Sequence, residues 1–248
     1  MGTIKGGYKW LGAKIGGNSV NGIAKGGNVI YKKIDPTLIL DCDFNNNFTN
    51  KVPGGVQLIA ANANGLPSFV AGRKGIDYAV NFASSKALKT AVNIALNTTN
   101  QMSISMWIKT TQTTAAIISE LSVDSNFGST FRLLINNAFA NKIELNDHNS
   151  GYNRVSGNQN INTGSWFHIV STINRNNGIN QNKIYINNVL SFTQDLASAT
   201  DNNGNFDLKQ LFIGARNGNS SFFVGLMQEF ILFNYEISAD EVDELYNA

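Results

Sequence analysis

From Thr37 onward, apolar residues fall in short runs closed by Gly, Asn and Ser. Thr37 to Phe44, Met102 to Ile108, Phe131 to Ile135, Phe167 to Ile173, Lys183 to Ile186, Gln210 to Ile213 and Met227 to Phe233 read as strands, being rich in β-branched and aromatic residues between turn formers. So many short strands in succession predict two antiparallel sheets packed face to face, an all-β sandwich. Only the tail carries a helical period. There Ser238 and Glu241 make a capping box, and Val242, Leu245 and Tyr246 share one face of a short closing helix.

The first 35 residues differ in pattern. Gly6-Gly7, Gly16-Gly17 and Gly26-Gly27 recur at a spacing of ten around short segments such as Tyr8-Lys9-Trp10-Leu11 and Asn28-Val29-Ile30-Tyr31. Glycine pairs accept the positive φ of hairpin turns, so the period predicts a small β-meander. Such a ribbon is marginal alone, so it is expected to pack on a partner, either another copy of the chain or a larger assembly. Asp35-Pro36 marks the boundary, giving residues 1–35 as a docking or oligomerising segment and 36–248 as the main domain.

Composition adds exclusions. With 42% hydrophobic and 15% charged residues, the chain has enough apolar mass for a large core. The net charge of +2 is spread out, unlike the basic stripe of a nucleic-acid binder. The one cysteine, Cys42, reads as a small buried hydrophobe. Met1 to Trp10 lacks the pattern of a signal peptide, and no run approaches the ~20 apolar residues that span a bilayer, so a soluble chain is expected.

Several segments in register resemble the laminin G-like group of concanavalin A-like lectin domains. Met102-Ser-Ile-Ser-Met-Trp-Ile-Lys109, Ser165-Trp-Phe-His168-Ile-Val170, Lys183-Ile-Tyr-Ile-Asn-Asn188, Leu211-Phe-Ile-Gly214, Phe223-Val-Gly225-Leu-Met-Gln228-Glu229 and Tyr235-Glu-Ile-Ser238 are similar to that group's strand, hairpin and closing motifs, in order. The resemblance implies a two-sheet jelly roll over residues 36–248. It also implies a structural calcium held in part by an Asp, where this chain has Gln228; the donors left are Asp41, Asp43, Glu229 and backbone oxygens, so no metal is expected.

The fold hosts both binders and hydrolases, so residues must decide between them. Glu241-Val-Asp243-Glu244 has the wrong spacing for paired glycosidase carboxylates and lies in the predicted helix, and His148, His168 and Cys42 assemble no triad. No catalysis and no cofactor are expected. Trp107 and Trp166 read as core residues. The binding candidates are Asp147, His148, Asn149 and Tyr152 in the polar run Asn146 to Arg154, read as a loop, with Arg216 and Asn217 on a second loop: carboxylate, amide and guanidinium groups beside one ring, the chemistry of a shallow glycan site.

The expectation is therefore a non-catalytic adhesion protein. Its setting reads as the surface of a phage virion, as a fibre, tail or capsid-attached protein that docks through its N-terminal segment, is a homo-oligomer and presents a glycan-binding face. The alternative is an extracellular carbohydrate-binding module of a bacterial polysaccharide-degrading system.

Overall fold

The computed structural model describes residues 3–4, 8–11, 22–25, 28–32, 37–75, 77–83, 85–122, 131–138, 140–148, 152–175, 180–196 and 204–248. The chain separates into two compact units, Met1–Leu38 and Ile39–Ala248. In the first, β1 (Thr3–Ile4), β2 (Tyr8–Leu11), β3 (Gly22–Lys25) and β4 (Asn28–Lys32) form an antiparallel sheet in chain order, a meander.

The second unit is an all-β, two-sheet antiparallel sandwich with one short C-terminal helix. One sheet runs β17 (Val189–Leu196), β16 (Asn180–Ile186), β15 (Trp166–Asn174), β10 (Gln101–Lys109), β19 (Gly225–Phe233), β8 (Tyr78–Phe82) and β7 (Ser68–Ala71), with β5 (Leu38–Cys42) also paired to β19. The other runs β14 (Tyr152–Ser156), β13 (Ile143–His148), β12 (Phe131–Ile135), β11 (Ala116–Ser122), β18 (Gln210–Ile213), β9 (Leu88–Thr90) and β6 (Leu58–Ala60). Neighbours distant in sequence, such as β10 beside β19 and β11 beside β18, mark a chain that crosses repeatedly between sheets.

Strand alternation builds the core. Met102, Ile104, Met106 and Ile108 of β10 face inward, and Ile118, Leu121, Leu133, Leu145 and Ile213 meet them from the other sheet. Each such buried side chain contributes about 1.5–3 kcal/mol relative to exposure. Cys42 lies in the same core, fully buried, and burial raises its thiol pKa to about 12. Gly214 follows β18 at φ 86°, and a Cβ there would stand 2.5 Å from the Phe82 ring, so the position requires glycine on both counts.

Part of the outward face of the first sheet is covered. Helix α1 (Ala239–Tyr246) begins at a capping box: Ser238 Oγ accepts from the Glu241 N–H at 3.3 Å and Glu241 Oε2 accepts from the Ser238 N–H at 2.7 Å. Its Val242 packs with Val170, Tyr185 and Ile237. Beside it Trp107 is 6% exposed, stacked on Tyr246 at 5.5 Å and covered by the Arg73 guanidinium 3.8 Å from its centre. His168 is buried next to Trp107 with Nε2 2.9 Å from Ser105 Oγ. Trp107 and His168 are structural, as read from sequence, whereas Trp166 is only half-buried. Among the described residues no helix is long and apolar enough to cross a membrane.

Candidate functional site

Among the described residues the one helix lies over the first sheet, and the outer face of the second sheet carries a row of polar residues. The pairing register sets a single row across it: Lys89 opposite Phe212, Phe212 opposite Glu120, Glu120 opposite Arg132 and Arg132 opposite Asn146. These residues alternate with the core residues Leu121, Phe131, Leu133 and Leu145. The polar face is therefore fixed by the same period that fixes the core.

The loop 214–222 supplies a lip. After Gly214 the chain turns through Arg216 and Asn217, closes with an Arg216 N–H donating to Ser220 O at 2.8 Å, and returns so that the Ile117 N–H donates to Ser221 O at 2.9 Å. Glu120 ties sheet and lip together: its Oε2 accepts from Arg132 Nε at 3.1 Å and its Oε1 from the Asn217 N–H at 2.5 Å. Burial raises the Glu120 pKa, opposed by those two hydrogen bonds and the nearby Arg216 charge. On the other side, Glu144 Oε1 accepts from the N–H groups of Asn137 and Ala138 at 2.9 and 2.8 Å, shaping the turn after β12.

Between them lies a groove of about 170 Å³, with Ile117 and Leu134 as apolar floor and Arg132, Asn146, Arg216 and Ser221 as polar walls. Enclosed ligand sites measure about 300–1,000 Å³, so this volume suits one ring of a longer chain. Asn146 is 1% exposed and its Oδ1 is buried with no hydrogen-bond partner. Left so, such an acceptor costs about 1–3 kcal/mol.

The structure corrects the reading of residues 146–154 as a loop: 146–148 belong to β13 and 152–154 to β14, two paired strands whose Ile143, Leu145 and Val155 are core residues. Alternation then sends Asn146 outward and Asp147 inward, where Arg175 engages the carboxylate. Asp147 is thus taken up inside the sandwich and not presented on a loop. His148 and Tyr152 lie in the paired strands, while their side chains and Asn149 lie outside the described residues. Arg216 and Asn217 do stand on a loop, and Arg216 lines the groove. The structure thus joins Arg216 to Arg132 and Asn146, which the sequence reading did not select. Arg132 carried a signal, as a polar residue between the apolar Phe131 and Leu133; Asn146, followed by the equally polar Asp147, carried none.

The calcium donors do not fit a metal. Asp43 is bonded by Lys51 Nζ at 2.6 Å, Glu229 by Arg73 at 3.3 Å, and Gln228 spans from the Arg73 N–H (3.0 Å) to Asp77 Oδ2 (2.6 Å). Among the described residues no three His, Cys, Asp or Glu side chains cluster to hold an ion.

Residues 82–243 match the family model of the concanavalin A-like lectin/glucanases superfamily, laminin G type, and the chain belongs to that family. Solved structures agree in fold. Domain 4 of AbnA, a GH43 extracellular arabinanase from Geobacillus stearothermophilus solved with arabinotriose, is 19% identical with a TM-score of 0.64, over 85% of this chain and 98% of that one. A botulinum neurotoxin type C structure, described with cell entry dependent on two ganglioside molecules, is 13% identical with a TM-score of 0.63 over 86% of this chain. The binding domain of Paraclostridial Mosquitocidal Protein 1 is 13% identical with a TM-score of 0.60 over 85%. This chain spans 51% and 52% of those last two chains. No protein of curated function matches the sequence.

Proposed function

We propose that the sandwich is a non-catalytic carbohydrate-binding module acting outside the cell, with its sugar in the groove between β11–β13 and the 214–222 loop. The observation that carries this reading is the groove itself, whose lining brings the polar Arg132, Asn146, Arg216 and Ser221 together with the apolar Ile117 and Leu134. A sugar ring supplies hydroxyl donors for the amide and an apolar face for Ile117 and Leu134. The arabinanase domain with its arabinotriose and the ganglioside-dependent toxin favour glycan binding as the use of this fold. The same neighbours lend a virion setting no support, so the binding module is preferred to the phage fibre. The test is isothermal titration of the full chain against arabinan, xylan, pectin and host-type oligosaccharides, with chromatography of the same mixtures. Binding without product is expected. Product release, or silence across the whole panel, refutes the reading.

A further inference from the structure

We propose that Lys183 and Asn174 join their side chains in an intramolecular isopeptide bond, with Glu236 as the group that moves the protons. This is independent of the glycan-binding reading. Register places the two reactants together. Thr172 on β15 lies opposite Lys183 on β16, so Asn174, two residues further along β15, is the diagonal neighbour of Lys183 on the same face. That face is the outward one, because the alternate residues Ile173 and Ile184 belong to the core. The segment after β19 crosses it beside β15: Ser103 Oγ, on β10, donates to Tyr235 O at 2.8 Å and accepts from the Ile237 N–H at 3.0 Å, which pins the residue between them, Glu236, to the sheet. The Glu236 carboxylate then bridges the pair. Lys183 Nζ donates to its Oε1 at 2.5 Å and Asn174 Nδ2 to its Oε2 at 2.6 Å.

A carboxylate in contact with both an amine and a carboxamide is placed to take a proton from the one and to give a proton to the other, at hydrogen-bonding reach of each. Holding amine and amide on neighbouring strands supplies the proximity that a free amine and a free carboxamide in water lack. The site is also partly dry: the Lys183 and Glu236 side chains are 24% and 15% exposed, and their chain neighbours Tyr185, Tyr235 and Ile237 belong to the apolar cluster under the helix. Apolar surroundings narrow the gap between a carboxylate–ammonium pair and the neutral acid and amine from which attack proceeds. In the step, Lys183 Nζ bonds to Asn174 Cγ and the bond from Cγ to Nδ2 breaks. The two protons that the lysine nitrogen gives up are relayed by Glu236 and leave with the departing nitrogen as ammonium. Charge therefore balances, nothing is oxidised or reduced, and no co-reactant is needed. The event is a single self-modification of the folded chain that ties β15 to β16.

Mass spectrometry of the full chain, purified folded and then denatured and digested, tests this. The intact mass is expected to fall short of the sequence mass by one ammonia. Trypsin is expected not to cut after Lys183, so that peptide 155–175 is recovered joined to peptide 176–209. Glu236→Gln, which keeps the size of the side chain, and Lys183→Arg, which keeps the charge, are each expected to show their full sequence mass and separate peptides. A full sequence mass for the unaltered chain, with complete cleavage after Lys183, overturns the proposal and leaves the three groups an ordinary hydrogen-bonded ion pair. Loss of ammonia with that cleavage intact overturns it as well, because the ammonia then comes from another amide. Survival of the joined peptide in Glu236→Gln overturns the role given to Glu236.

Discussion

Arg175, just past the end of β15, reaches Asp147 on β13 and clasps it at two points, Nε to Oδ2 at 3.2 Å and Nη2 to Oδ1, both side chains fully buried. The pair joins the two sheets, and the guanidinium lies 4.0 Å over the Phe206 ring. Removing one partner of a buried pair strands the other charge. Asp147→Ala is therefore expected to cost about 3–5 kcal/mol of stability in urea unfolding. Asp147→Leu with Arg175→Met recovers most of that loss if the cost is the stranded charge. A single change within about 0.5 kcal/mol of wild type would show that the pair is not closed as described.

Asn146 behaves in the opposite way. Its unpaired Oδ1 makes it a cost to the empty fold, so Asn146→Leu is expected to leave the melting temperature unchanged or raise it while weakening glycan binding about tenfold. Calorimetric melting beside titration checks this. A marked drop in melting temperature would assign the residue to the scaffold.

For His168, burial first and the Arg73 charge second lower the pKa to about 4, against about 6.5 in an unfolded chain. Between those values the unfolded chain binds a proton that the folded chain does not. The contribution is therefore whole above about pH 6.5, declines as pH falls toward 4 and levels off below, by up to about 3 kcal/mol. Glu120, raised by burial, adds a slope of opposite sign in acid, so the comparison that matters is with His168→Gln. The variant keeps a partner for Ser105 and is expected to lack the decline. Identical pH profiles for the two proteins would contradict the assignment.

What the sequence made legible follows one physical rule. Strands such as β10 and β19 show in the chain because their inward residues are apolar and turn formers bound them. β11 is buried at every position, its polar Ser119, Glu120 and Ser122 included, so no exposed–buried alternation sets it apart. β13 and β14 looked like loop because Asn and Asp are common in turns. Here Asp147 of β13 is held by Arg175 and Glu144 by the turn after β12, while Ile143, Leu145 and Val155 are core residues. The candidate site was half visible for the same reason: Arg216 is a loop residue and reads as one, whereas Arg132 and Asn146 are polar members of core strands whose outward neighbours only the fold assembles.

The central claim is that the groove between β11–β13 and the 214–222 loop is where a glycan sits. Hydrogen–deuterium exchange of the full chain, with and without a saturating oligosaccharide identified by titration, locates the contact without any substitution. Protection is expected in peptides covering 115–122, 131–138, 143–147 and 214–222, with no change around Trp107 and α1. Protection centred on 148–153, or on the helix-covered sheet, with the groove peptides unchanged, would contradict the account.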